Sequence, residues 1–132
     1  TARFLATSTL GEQLSLVART PECRARLATL LQSSDLQSSL PLFADEIPLP
    51  MLRKAEVIRG LAVQPQVLFL DEPSAGLTAN ELHEFGHFLL QHLPQQTALV
   101  VVEHRLDFMT MVTDLVVEMH LNQGLHIGSG GC

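Results

Sequence analysis

The feature that most constrains this chain is the run from Val67 to Pro73, VLFLDEP, in which four apolar residues end in two adjacent carboxylates and a proline. Apolar residues on both faces predict a strand in the centre of a parallel sheet, buried on each side. Ligands of such sheets bind beyond the carboxyl ends of the strands. Carboxylates at that place can hold Mg²⁺ through Asp71 and orient a water molecule through Glu72. The pattern is typical of sites that hydrolyse phosphates.

A second apolar run, from Ala98 to Val102, leads into Glu103 and His104. A segment of helical length separates the two runs. Strand, helix and strand over about forty residues form a right-handed crossover unit of a parallel sheet. We therefore expect an α/β chain in which His104 emerges at the same sheet edge as Asp71 and Glu72.

These residues, in this order and spacing, resemble the ATP-binding-cassette (ABC) ATPases. The first run is similar to their Walker B strand and Glu72 to their catalytic glutamate. The turn from Ser74 to Leu77 resembles the D-loop, and His104 resembles the switch histidine. The fold implied is a partial P-loop NTPase-like parallel sheet with flanking helices, preceded by a small helical subdomain.

The resemblance also implies roles for individual residues. Glu72 and His104 would be catalytic, with Glu72 polarising the attacking water and His104 contacting the γ-phosphate. Asp71 would hold Mg²⁺ through water, and Asp71, Ser74 and Gly76 would bind the nucleotide.

Further segments extend the resemblance over most of the chain. They are, in order, a helix from Lys54 to Ala62, a helix from Leu106 to Val112, a strand from Asp114 to Met119, and a hairpin turn from Asn122 to Gly124. The pairs Gly76-Leu77 and Glu103-His104, with Glu81, are most similar to ATPases that serve importers of branched-chain amino acids and urea.

Two elements of the family are missing from these residues. No G-x-x-x-x-G-K-[ST] phosphate loop occurs, so the backbone cradle and lysine that grip phosphates are absent. The glycine-rich signature falls at the segment from Ile47 to Met51, which contains two prolines in place of N–H donors. The chain is therefore predicted to be an ATP-binding and ATP-hydrolysing subunit of an ABC transporter, or a fragment of one, that is inactive in isolation.

The resemblance also implies cofactors, partners and a cellular location. ATP and Mg²⁺ are expected only when a segment containing a Walker A loop completes the site. The partners implied are a transmembrane permease subunit and either a second copy of the chain or a complementing ATPase half. The location implied is cytoplasmic, peripheral to the inner face of the membrane.

The chain divides into two regions in this interpretation. Residues 1–60 form a helical subdomain-like region that includes the degenerate signature segment, and residues 61–132 form the C-terminal part of the ABC ATPase core. Thr9, with Glu12 three residues later, is a predicted helix N-cap, and Pro21 marks a second helix start. The first region is either a surface that docks on the permease or a helical cap over the sheet.

Composition narrows the function classes. The formal net charge is −6, which argues against nucleic acid as a partner. Two cysteines far apart in the sequence do not form a disulfide framework. No apolar run reaches the roughly eighteen residues that a membrane-spanning helix requires.

A local pattern competes with the ABC interpretation. His83, Glu84 and His87 match H-E-x-x-H, in which two histidines bind zinc and the glutamate acts as general base. His92 is placed on the opposite side of the helix from His83 and does not complete such a site. Zinc at His83 and His87, and with it a zinc hydrolase, is only a minor alternative.

The simpler interpretation of this segment is an amphipathic helix. Thr78 would be its N-cap, with Glu81 closing a capping box. The residues expected to face the sheet are Leu82, Phe85, Leu89 and Leu90, with the histidines toward solvent.

A second function from a different class stays open. The chain could be a non-catalytic, ABC-derived interaction domain that kept the sheet and lost nucleotide chemistry. Among the other charged residues, Asp114 and Glu103 are expected to be structural or solvated, and Arg53, Lys54 and Arg59 to share one solvated helix face.

Overall fold

The computed structural model describes residues 4–120 and 124–129 of the 132. Its elements in chain order are α1 (Leu10–Ser15), α2 (Pro21–Gln32), α3 (Leu49–Ala62), β1 (Val67–Asp71), α4 (Ala79–His92), β2 (Ala98–Val102), α5 (Leu106–Val112), β3 (Leu115–His120) and β4 (Gly124–Ser129). Short 3₁₀ turns at Gln37–Ser39 and Ala44–Glu46 connect α2 to α3. The predicted α/β class, with a small parallel sheet and flanking helices, is confirmed. Every helix in these ranges is too short or too polar to cross a membrane.

Side-chain caps start the first two helices where the sequence predicts them. The Thr9 hydroxyl accepts a hydrogen bond from the backbone N–H of Glu12 at 3.2 Å, and α1 begins at the next residue. Thr20 accepts from the N–H of Cys23 at 3.1 Å, with Pro21 as the first residue of α2. Such caps satisfy N–H groups that have no acceptor within the helix.

Helix α3 begins earlier than the sequence analysis expects. It starts at Leu49 rather than Lys54, with Pro48 as N-cap and Pro50 in the first turn. Proline is tolerated there because first-turn N–H groups have no intrahelical acceptor to lose. The helix then runs unbroken to Ala62, across residue 60, where the proposed division of the chain falls.

The predicted solvated face of α3 is wrong for Arg53, which is only 7% exposed. Lys54 and Arg59 are half-buried. The Lys54 ammonium lies 5.5 Å from the centroid of the Phe88 ring, and the Arg59 guanidinium lies 4.1 Å from that of Phe4. Long basic side chains cover apolar surface with their stems in this way, which the charge pattern alone does not reveal.

Strands β1 and β2 pair in parallel, in register from Val67 opposite Ala98 to Asp71 opposite Val102. Helix α4 is the crossover between them, as expected. Leu68 and Leu70 of β1 are buried in the core with α3 and α4. Gly60 of α3 permits this approach, since a Cβ there would lie 2.7 Å from Leu68 Cδ1.

The prediction that the first strand is buried on both faces is wrong for the part of the molecule described. Val67 and Phe69 are 54% and 52% exposed, and Val100 and Val102 of β2 are 44% and 46% exposed. Burial alternates along β1 because helices cover only one face of this two-stranded sheet. The other face is an apolar surface of four side chains, which we call the outer sheet face.

Helix α4 has the predicted cap and a slightly different buried stripe. The Thr78 hydroxyl accepts from the N–H of Glu81 at 3.2 Å. Leu82, Phe85 and Leu89 are buried as expected, but Leu90 is 45% exposed and Phe88 is buried in its place. Phe85 packs on Phe108 of α5, with ring centroids 5.9 Å apart.

The last two strands pair antiparallel, from Leu115 opposite Ser129 to His120 opposite Gly124. The third strand thus begins one residue later than the predicted Asp114. The predicted turn at residues 122–124 lies outside the described residues except for Gly124, which is the first residue of β4.

Candidate functional site

The carboxyl ends of β1 and β2 bring the predicted acidic pair and histidine together. His104 Nε2 lies 2.9 Å from Glu72 Oε1. The two side chains are 83% and 51% exposed, so the pair opens to solvent. Asp71, also exposed, is the last residue of β1 and lies opposite Val102 in the sheet. The crossover argument therefore places Asp71, Glu72 and His104 correctly at one edge.

The backbone at Glu72 has an unusual conformation that sets this geometry. Its φ is +49°, in the left-handed region that costs a non-glycine residue roughly 1–2 kcal/mol. Its N–H still donates to Val102 O at 2.7 Å, which extends the strand pairing by one residue. The chain turns sharply after that bond, which leaves the Glu72 carboxylate at the edge beside His104.

Glu103 joins the two loops that carry this pair. One carboxylate oxygen accepts the backbone N–H of Ser74 at 3.0 Å, and the other accepts those of His104 at 2.8 Å and Arg105 at 3.3 Å. Partial burial raises the pKa of Glu103, but these hydrogen bonds and one with the Ser74 hydroxyl outweigh it and hold the pKa below its ordinary value. The structural role expected for Glu103 is observed, although its position as the link between both loops was not foreseen.

Two arginines hold the turn that follows Glu72. Arg53 Nη2 donates to Ala75 O and Arg105 Nη1 to Leu77 O, each at 3.2 Å. Arg53 also pairs with Glu56 at 3.3 Å. Its Nε is buried without a hydrogen-bond partner among the residues described. Sequence reasoning missed both arginines, because each reaches a backbone carbonyl more than twenty residues away.

Ser74 and Gly76, expected to bind nucleotide, occupy structural positions in this turn. Ser74 is only 5% exposed and its N–H is bonded to Glu103. Gly76 has φ +81°, and a Cβ there would lie 2.6 Å from Leu49 Cδ2. The positive φ favours glycine at this position, and a Cβ would also displace the end of the Leu49 side chain.

The start of α3 lies where the resemblance locates the glycine-rich signature. Pro48 and Pro50 have no N–H, and no side chain caps the helix. A helix N-terminus binds phosphate through free N–H groups. The donor chemistry at this helix start does not fit a phosphate contact.

The histidines of the H-E-x-x-H segment lie on the exposed side of α4. His83 Nε2 and His87 Nε2 are 3.0 Å apart. His92 instead bonds through its ring nitrogens to Phe88 O and the Ser33 hydroxyl, each at 2.9 Å. No group of three metal-ligating side chains occurs within residues 4–117, where side chains are described.

Comparison with known proteins identifies the relatives of this chain. No protein-family model matches it. The high-affinity branched-chain amino acid transport ATP-binding protein LivG of Salmonella typhimurium is 28% identical over 102 residues, 76% of this chain and 37% of that protein. The octopine permease ATP-binding protein P of Rhizobium meliloti is 27% identical over 99 residues, 75% of this chain and 38% of that protein. The homologues of this chain are ABC transporter ATP-binding proteins. It spans well under half the length of these curated relatives.

Solved ABC structures share the fold. An ATP-binding cassette of an ABC transporter matches with a TM-score of 0.79 at 20% identity, over 98% of this chain and 60% of that one. An ATP-binding subunit of an ABC transporter matches with a TM-score of 0.75 at 23% identity, over 98% and 56%. The expected α/β fold, a small parallel sheet with flanking helices, matches the fold of these solved structures.

Proposed function

We propose that this chain supplies the water-activating part of the nucleotide site in the ATPase of an ABC transporter. The observation that carries the proposal is the 2.9 Å contact between Glu72 and His104 at the carboxyl edge of a parallel sheet. Glu72 is the group that polarises the attacking water. His104 orients the Glu72 carboxylate through Nε2 and contacts the γ-phosphate of bound nucleotide, and Asp71 is the ligand for the metal through water.

The residues at this edge fit Mg²⁺ and a phosphate better than the helix start does. Asp71 and Glu72 offer exposed carboxylate oxygens, the ligands that Mg²⁺ prefers. MgATP, when bound, supplies the transferable phosphoryl group and the metal charge that neutralises it. Pro48 and Pro50 remove two of the N–H donors with which the start of α3 could contact a phosphate.

A second polypeptide segment would have to provide the phosphate loop, which these 132 residues lack. The outer sheet face supports this part of the proposal, since Val67, Phe69, Val100 and Val102 are all about half exposed. An apolar face on a parallel sheet is normally covered by helices. We propose a complementing ATPase half as the cover, with a second copy of this chain as the alternative.

The names of the relatives support a proposed partner. LivG and the octopine protein are named as ATP-binding proteins of a branched-chain amino acid transporter and of a permease. A third relative is named for L-cystine import. We extend these to a membrane permease for an amino-acid-type solute, contacted through residues 1–60 at the inner face of the membrane.

The non-catalytic interaction domain is the second candidate. The prolines at the start of α3 favour it, because they remove the phosphate contact of the signature while leaving the fold intact. In that case the contact between Glu72 and His104 would be a relic of ancestral chemistry with no present turnover.

An ATPase assay separates the two candidates. The isolated chain is expected to hydrolyse ATP negligibly. Adding the phosphate-loop half of LivG should produce turnover that Glu72→Gln abolishes and the exposed control Glu84→Gln leaves intact. Complex formation without turnover would favour the interaction domain. Turnover by the isolated chain that Glu72→Gln removes would refute the need for a second segment.

A further inference from the structure

His83 and His87 lie one helical turn apart on the exposed side of α4. Their ring centroids are 4.5 Å apart at an interplanar angle of 82°, and their Nε2 atoms are separated by 3.0 Å. Neither ring has a role in the sheet-edge site formed by Asp71, Glu72 and His104. The pair therefore needs its own explanation.

The spacing of the two nitrogens matches that of ligands on one metal ion. Imidazole nitrogens bind zinc and similar ions at about 2.0–2.1 Å. Two such bonds at a right angle place the nitrogens about 3.0 Å apart, and a tetrahedral angle widens this to about 3.4 Å. The two Nε2 atoms already lie at this separation. When no metal is bound, the contact between the two Nε2 atoms is a hydrogen bond in which one nitrogen donates to the other.

The helix holds the pair in position from its buried side. Leu82, Phe85 and Leu89 fix α4 in the core. Gly86 lies between the two histidines, where a Cβ would be 2.6 Å from Met111 Cε. A metal that bridges His83 and His87 would span this glycine, which is the weakest helix former in that turn.

We propose that His83 and His87 form an open two-imidazole chelate for a borderline divalent transition-metal ion. Among the side chains described, no third carboxylate, imidazole or thiol completes a cluster, so water fills the remaining positions. Two nitrogen ligands favour Ni²⁺, Cu²⁺ and Zn²⁺ over Mg²⁺ and Ca²⁺, with Cu²⁺ bound most tightly. The site is not a protease centre, because it lacks the third protein ligand of such centres.

The neighbouring charges are mixed. Glu84 on α4 and Asp35 on the loop after α2 line one shallow groove with His87, and Lys54 of α3 lines it too. The formal net charge of −6 favours cations overall. The chelate thus depends on the two imidazoles rather than on a strongly acidic pocket.

Calorimetric titration of the metal-free chain with NiCl₂, CuCl₂ and ZnCl₂ tests the proposal. One equivalent is expected to bind in the order Cu²⁺ above Ni²⁺ and Zn²⁺, and any heat from MgCl₂ should be the same for the wild type and His83→Ala. His83→Ala or His87→Ala should weaken binding by about tenfold or more. The exposed Glu22→Gln on α2 should leave it unchanged. The double variant Ala79→His with His87→Ala restores the spacing of four residues one turn earlier and should recover binding.

Metal binding at other histidines of the chain is the alternative that the experiment must exclude. Residual binding is checked in a His120→Ala, His126→Ala variant, and Cu²⁺ broadening of backbone NMR signals locates the ion. Broadening centred on residues 83–87 supports the chelate. Binding that is unchanged in His83→Ala, or broadening centred on the last two strands, refutes it. Circular dichroism confirms that each variant keeps its helices.

Discussion

Replacing Glu103 with glutamine tests whether its carboxylate holds the two loops of the candidate site. The wild-type carboxylate accepts backbone N–H groups of Ser74, His104 and Arg105 at 2.8–3.3 Å. Glutamine keeps one acceptor oxygen but turns an NH₂ group toward the N–H group or groups that the second oxygen accepted from. At least one N–H of the loops therefore loses its partner in Glu103→Gln.

The expected cost is modest because the carboxylate is only half-buried. A hydrogen bond to a charged group contributes about 1.5–3 kcal/mol when protected, and exposure screens much of this. We expect Glu103→Gln to lower the free energy of unfolding by about 1–2 kcal/mol near neutral pH. The exposed control Glu84→Gln should change it by less than about 0.5 kcal/mol.

The pH dependence gives the sharper test. Hydrogen bonds hold the pKa of Glu103 below its ordinary value of 4.5 in the folded chain. The unfolded chain therefore takes up this proton first as the pH falls. The stabilisation is complete above 4.5 and disappears as the pH falls through the folded pKa. Glutamine does not titrate. The difference in the free energy of unfolding between wild type and Glu103→Gln should therefore become smaller as the pH falls below 4.5.

Urea unfolding followed by circular dichroism measures both effects. Free energies of unfolding are compared for wild type, Glu103→Gln and Glu84→Gln at about pH 7 and at steps down to about pH 3, which extends the measurement below the ordinary carboxyl pKa. Amide hydrogen exchange at Ser74, His104 and Arg105 should become faster in Glu103→Gln alone. A difference that does not change with pH, or an equal loss in Glu84→Gln, would refute the role of the carboxylate.

Three further substitutions test other parts of the argument. Gly76→Ala should destabilise the chain by about 1–3 kcal/mol in denaturant unfolding, because φ is +81° and the new methyl would meet Leu49; an unchanged stability would contradict that backbone geometry. Phe85→Ala should cost about 3–5 kcal/mol by the same assay, since the ring is 1% exposed against Phe108, and a loss below about 1 kcal/mol would contradict its place in the core. Phe69→Ser should leave the stability of the isolated chain nearly unchanged, because the ring is 52% exposed, but weaken its complex with a phosphate-loop half, as measured by calorimetry; equal affinity would exclude the outer sheet face as the contact.

Local signals in the sequence predicted the elements well. Hydroxyl caps at Thr9 and Thr78 start helices at the expected residues, since a cap needs only a hydroxyl and a backbone N–H three residues later. The run from Leu106 to Val112 forms α5 with the predicted bounds. The crossover rule placed His104 beside Glu72 because handedness and strand direction leave one arrangement.

Features that depend on distant residues were not predictable. The burial of Arg53 depends on a carbonyl at Ala75, and no periodicity within α3 reveals that partner. Phe88 rather than Leu90 is buried on α4, because the packing against neighbouring helices sets the rotation of the stripe. The exposure of Phe69 depends on which elements cover each face of the sheet. The apolar run has the same sequence whether one face or both faces are covered, so it cannot predict this exposure.

The backbone strain at Glu72 indicates which of the proposed catalytic roles the fold of this chain positions by itself. Glu72 holds a left-handed φ of +49°, and its bond to Val102 and the Glu103 links offset the cost of that conformation. If Glu72 positions water as proposed, the fold already holds it in place, whereas Pro48 and Pro50 remove two N–H groups at the start of α3. On the proposed function, a complementing segment would add binding of the nucleotide rather than rearrange Glu72 and His104. The turnover that a complementing segment produces should therefore rise with the affinity for nucleotide. A segment that restores nucleotide binding without turnover would show that Glu72 and His104, 2.9 Å apart, do not catalyse hydrolysis.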